Sequence, residues 1–89
     1  MKIRIEKLSF EELKRKDVFN WPTWEKEVSE FPWHYNETEE CYFLEGEVEI
    51  KFKEGNVVKI GKGDFVTFPK GLFCVWKVVK PVKKHYNFK

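Results

Sequence analysis

Few side chains in this sequence can do nucleophilic or metal-ligating chemistry, and they are widely spaced. The histidines are His34 and His85, the cysteines Cys41 and Cys74, and the serines Ser9 and Ser29. No glycine-flanked nucleophile elbow surrounds either serine, and no glycine-rich loop of the phosphate-cradling kind is present. Neither cysteine has an adjacent basic residue or a helix N-terminus to favour its thiolate. The expectation is therefore two buried, reduced thiols rather than a redox pair. Cys41 shares its strand parity with Glu39, so the two are expected to face the same way. Two spacings stand out. His34 is followed by four residues and Glu39, then by six residues and Gly46. Gly63 is followed by five residues and Pro69, then by Gly71, two residues and Cys74.

These residues need a scaffold, and the composition says which kind. The chain has 89 residues, 42% of them hydrophobic and 18% aromatic, with four Trp and nine Phe. Such a length allows one domain, here expected over residues 1–89, with a dense core. There is no Ala, and Val, Ile and aromatic residues dominate, which favours strands. Residues 3–5 read as a first strand. Ser9 and Glu12 form a capping box that predicts one short helical turn through Phe10 and Leu13. Residues 24–28 alternate as a possible strand, and Pro32 punctuates the approach to Trp33-His34-Tyr35. Residues 41–44 are apolar on both parities, as in a strand covered on both faces. Beyond Gly46, Val48, Ile50 and Phe52 alternate with charged residues, giving one buried and one wet face. Glu54-Gly55-Asn56 is a hairpin turn. Strands follow at 57–60, 65–68, 73–79 and 82–88, with Pro81 marking an edge or bend. Short strands with regular Gly and Pro turns predict a small, antiparallel all-β barrel or sandwich.

On that scaffold the two spacings resemble the paired motifs of the cupin superfamily. The first cupin motif runs Gly, five residues, His, one residue, His, three or four residues, Glu, six residues, Gly. The second runs Gly, five residues, Pro, one residue, Gly, two residues, His, three residues, Asn. Here Lys26 stands for the first glycine, Pro32 for the first histidine, Cys74 for the last histidine and Val78 for the asparagine. The local wording is similar to that of the short single-domain cupins grouped with ureidoglycine aminohydrolase. The resemblance implies a jelly-roll-like β-barrel. A complete cupin site offers three His and one Glu to a divalent metal, and this chain retains His34 and Glu39 with Cys74 in a third position. If a metal binds there, imidazole and carboxylate suit Zn, Mn, Fe or Ni, and a thiolate favours the softer ones.

The resemblance also implies a pocket. His34, Glu39 and Cys74 would converge in it, beside Cys41, Phe43 and Trp76, while the parity of Trp33 would turn that ring away. Three readings follow. The first is a metabolite-binding cupin without a complete metal site. The second is a metal-dependent cupin enzyme, similar to ureidoglycine aminohydrolase, using His34, Glu39 and Cys74. The third is a structural or dimerisation module, since exposed barrel edges need covering and a homodimer would cover them.

Charge narrows the partners. The net charge is +2, too small to require nucleic acid or a membrane. Six Lys and no acid lie within 70–89, and six Glu lie within 37–49. Lys83-Lys84-His85 reads as a solvated basic edge, with no nucleic-acid motif beside it. The N-terminus alternates charged and apolar residues, which predicts a cytoplasmic chain. Abundant Lys and Glu resembles the bias of heat-adapted proteins.

Overall fold

The computed structural model describes residues 2–89. Strand β1 (Arg4–Glu6) leads into helix α1 (Phe10–Arg15) and a 3-10 turn (Val18–Asn20). The remaining strands are β2 (Thr23–Lys26), β3 (Ser29–His34), β4 (Glu39–Phe52), β5 (Val57–Gly61), β6 (Phe65–Phe68) and β7 (Phe73–Phe88). Their pairings are antiparallel. This is the expected small, antiparallel all-β architecture with one short N-terminal helix. No helix among the described residues is long and apolar enough to cross a membrane.

The capping box forms as its residue types require. The Glu12 N–H donates to Ser9 Oγ at 3.2 Å, and the Ser9 N–H donates to Glu12 Oε1 at 3.1 Å. These bonds to Ser9 hold the Glu12 carboxyl below its ordinary pKa. The helix places Leu13 against Val18 and Phe65, which form a small second cluster on the outside of the sheet.

Strands β4 and β7 are the spine. They pair along most of their lengths, from Glu39 opposite Phe88 to Phe52 opposite Cys74. The register shifts between Phe43 and Val48. Gly46 sits at the shift with φ +96, and a Cβ placed there would lie 2.3 Å from the Pro81 carbonyl oxygen. Both strands therefore bend where they touch. The shift also changes parity. On β4 the buried hydrophobic residues are Cys41 and Phe43 before the bend, and Val48, Ile50 and Phe52 after it. Periodicity on either side of Gly46 reads as two strands, whereas the chain makes one bulged strand.

Two prolines that read as punctuation lie inside strands. Pro32 sits in β3 opposite Val75, and among the described residues β3 pairs only with β7. An edge strand tolerates a missing N–H on its open side. Pro81 lies within β7, where the segments separately expected at 73–79 and 82–88 are continuous. It falls between the β2 partners, which end at Val82, and the β3 partners, which begin at Val78. No edge strand needs its missing donor. The main core fills the space between the two halves of the folded sheet, from Tyr35 and Phe68 to Val78 and Val82.

Gly46→Ala meets backbone as well as an unfavourable φ, and should lower stability by about 3 kcal/mol. Gly55 has φ +99, but a Cβ added there would meet nothing within 4 Å. Gly55→Ala should cost only about 1–2 kcal/mol. Urea unfolding of both variants checks the difference.

Candidate functional site

The pairing of β3 with β7 decides which side chains face the inside. Phe31 lies opposite Trp76, and Trp33 lies opposite Cys74. Directly opposed residues share a face of a sheet. Phe31, Trp33 and Tyr35 therefore point inward together, and His34 points out. The Phe31 ring stacks on Trp76 with centroids 6.0 Å apart. Tyr35 stacks on Phe68 at 4.7 Å. Tyr35 also accepts a hydrogen bond from Trp76 Nε1 through its hydroxyl, at 3.1 Å. Burial, followed by the nearby Glu39 carboxylate, pushes the Tyr35 phenol well above its ordinary pKa.

These rings bound a cavity of about 200 Å³. Trp24 of β2 forms one wall, and Phe31, Trp33 and Tyr35 form another. Tyr86 and Phe88, at the end of β7, reach its mouth. Trp33 and Phe88 are about half exposed there. Glu39, Trp76 and Lys84 complete the lining.

Lys84 is the residue that sequence reasoning placed on the wrong side. Only 6% of its side chain is exposed, and Nζ lies 2.6 Å from Glu39 Oε2, whose side chain is 5% exposed. Its ammonium also lies 4.8 Å from the Trp76 ring centroid and 5.1 Å from that of Trp24. The Phe43 and Phe68 rings follow at 5.9 Å each. A carboxylate and a set of ring faces thus replace the water that the ammonium loses. A signal for this exists in the sequence. Lys84 shares the parity of Trp76, Val78 and Val82 on β7, but that continuity is hidden when Pro81 is taken as a break. Lys83 and Lys80, by contrast, are not buried.

The six residues expected to share a pocket separate into three groups. Glu39 and Trp76 line the cavity. Phe43, Cys41 and Cys74 are buried in the core behind it. His34 is exposed and its Nδ1 lies 3.1 Å from Asn36 Oδ1, so it does not join them. The expected inward His34 and outward Trp33 are therefore exchanged, because β3 continues through Pro32 with odd-numbered residues inside.

The expected metal ligands consequently do not converge. His34 faces solvent, and the Glu39 carboxylate is engaged by Lys84. Among the described residues, no three His, Cys, Asp or Glu side chains are grouped to hold a metal ion. The residues present do not fit the four-ligand cupin metal centre.

The thiols are free and buried. Burial pushes Cys41 up to about 12 and Cys74 up to about 11. Lys84 partly offsets the shift at Cys41. Cys41 points its sulfur at the Val66 carbonyl oxygen, 3.7 Å away. Neither is an activated nucleophile. His85, on the opposite face of β7 from Lys84, places Nδ1 2.9 Å from the Trp21 carbonyl oxygen and packs edge-on against Phe19. It belongs to the outer layer rather than to a solvated edge.

A bent antiparallel sheet with a pocket on its inner face is the architecture of a small cupin. The family model described as the EutQ-like cupin domain matches residues 13–86, and the chain belongs to that family. Its structure is similar to that of a DUF861-family protein from Thermotoga maritima, with 56% identity and a TM-score of 0.96. That alignment covers 99% of this chain and 100% of the other. The EutQ protein of Clostridium difficile is 24% identical over 74% of this chain and 52% of its own, with a TM-score of 0.68. A putative ethanolamine utilization protein from Salmonella typhimurium is 22% identical over 99% of this chain and 69% of its own, with a TM-score of 0.66. These last two likenesses establish the fold alone. Among curated proteins, none matches the sequence.

The buried groups generate two predictions. Glu39→Gln or Lys84→Met leaves one charge buried without its counter-ion, and each should destabilise by about 3–5 kcal/mol. Lys84→Met/Glu39→Met should cost clearly less than the sum of the two single-residue losses, because it removes both charges. Chemical denaturation of the set measures that coupling. The second concerns pH. Cys41 and Cys74 titrate higher in the folded chain than in the unfolded one, so their contribution to stability is complete below about pH 9. It is lost as pH rises toward 11–12. Melting temperatures should fall across that range, and Cys41→Val should flatten the decline.

Proposed function

We propose that this chain binds a small, flat, partly apolar metabolite in the aromatic cavity between β2, β3 and β7. The observation that carries this reading is the cavity itself, walled by Trp24, Phe31, Trp33 and Trp76 with the Lys84–Glu39 pair in its lining. Binding sites for small molecules are mostly apolar with a few placed polar groups that orient the ligand. A cavity of about 150 Å³ accommodates a benzene molecule. The volume here, about 200 Å³, suits one ring with a small substituent. Face-on and edge-on contacts with Trp and Phe favour a planar occupant.

The geometry favours a metabolite-binding cupin over a metal-dependent enzyme, because no donor set for a metal is grouped among the described residues. A thermal-shift screen of small cyclic metabolites tests it. A ligand present at about 100 times its Kd stabilises the native state by about 2.7 kcal/mol. For a chain of this size that raises Tm by on the order of 10 °C. Trp24→Ala removes one wall on a short edge strand and should weaken such a ligand at least tenfold. If no compound raises Tm, or if Trp24→Ala binds every hit unchanged, the reading fails.

A further inference from the structure

We propose that the ligand of this cavity is a monocarboxylate on a single planar ring, recognised by the ammonium of Lys84. The inference rests on the metabolite-binding reading and specifies its chemistry. An ammonium has three N–H donors. Among the described residues, Lys84 Nζ makes one hydrogen bond, to Glu39 Oε2. The ring centroids of Trp76 and Trp24 lie 4.8 and 5.1 Å from it, and Lys84 itself lines the cavity. A ligand oxygen can therefore accept from Lys84 without displacing Glu39. A charge-assisted bond of that kind is roughly twice as strong as a neutral one.

The spare donors of Lys84 favour an anion. Glu39 and Lys84 are the charged residues of the cavity lining, and Glu39 already has its ammonium partner. A cationic ligand would meet the Lys84 ammonium as a like charge, whereas a carboxylate can accept from it. The walls supply stacking surface for the ring that bears it.

Benzoate, benzamide and benzylamine share a ring and differ in charge, so they separate the contributions of charge and shape. Binding to the full chain is followed by the indole N–H signals of Trp24 and Trp76 in NMR titrations. Benzoate should shift both signals and bind at least tenfold more tightly than benzamide, with benzylamine weaker still. The preference for benzoate should disappear in Lys84→Met. Should that variant fail to fold, Lys84→Met/Glu39→Met removes the ammonium without leaving a buried carboxylate. Benzamide or benzylamine binding as tightly as benzoate overturns the assignment and leaves the metabolite pocket standing. A benzoate preference that survives loss of Lys84 overturns it too. If none of the three moves either indole signal, the single-ring carboxylate is rejected, and the thermal-shift screen then decides the broader reading separately.

Discussion

The contact between Gly46 and Pro81 is the constraint on which the rest of the molecule depends. Strands β4 and β7 are too long to lie flat in so small a domain. They bend together where the glycine backbone lies against the proline carbonyl, with no room between them for a Cβ. The accompanying register shift moves the inward positions of β4 from odd to even residue numbers. Both halves of one strand thereby present apolar side chains to the same core. Without the shift, Val48, Ile50 and Phe52 would face solvent and their glutamate and lysine neighbours would face the core.

The bend also shapes the site. One half of β7 carries Trp76 and the other carries Lys84, and folding the strand brings the ammonium to 4.8 Å from the indole. Burying a lysine in so small a core is costly unless the charge is compensated. Here compensation comes from one carboxylate and several ring faces at once. The neighbouring rings are large and few of their atoms are polar, and the buried indole N–H of Trp76 donates to the Tyr35 hydroxyl. Packing leaves a cavity rather than a filled core because flat rings standing edge-on, such as Trp24 against Trp76, do not close the space above them.

The cupin motifs are legible in this chain, yet their metal-ligand positions are not grouped together among the described residues. The glycines and proline of the motifs are turn and bend residues, and they serve the same backbone geometry here. Of the ligand positions, Glu39 keeps its inward direction and serves Lys84. His34 lies one residue out of phase with the inner face. Motif spacing identified the fold because turns and strand lengths are encoded locally. It misplaced His34 because ligand geometry depends on strand phase, and Pro32 leaves that phase undetermined in the sequence.

Much of the architecture follows from local chemistry alone. Ser9 and Glu12 cap the helix wherever it lies, Gly55 and Asn56 turn the hairpin, and alternation from Val48 to Phe52 makes one face apolar. Those are interactions among near neighbours in the chain, and the sequence determines them directly. The tertiary structure alone decided that Lys84 belongs inside and His34 outside. Both choices depend on whether strands continue through Pro32 and Pro81. A proline is tolerated in a strand only where no neighbouring strand needs its missing N–H, and which strands are neighbours is a property of the folded sheet.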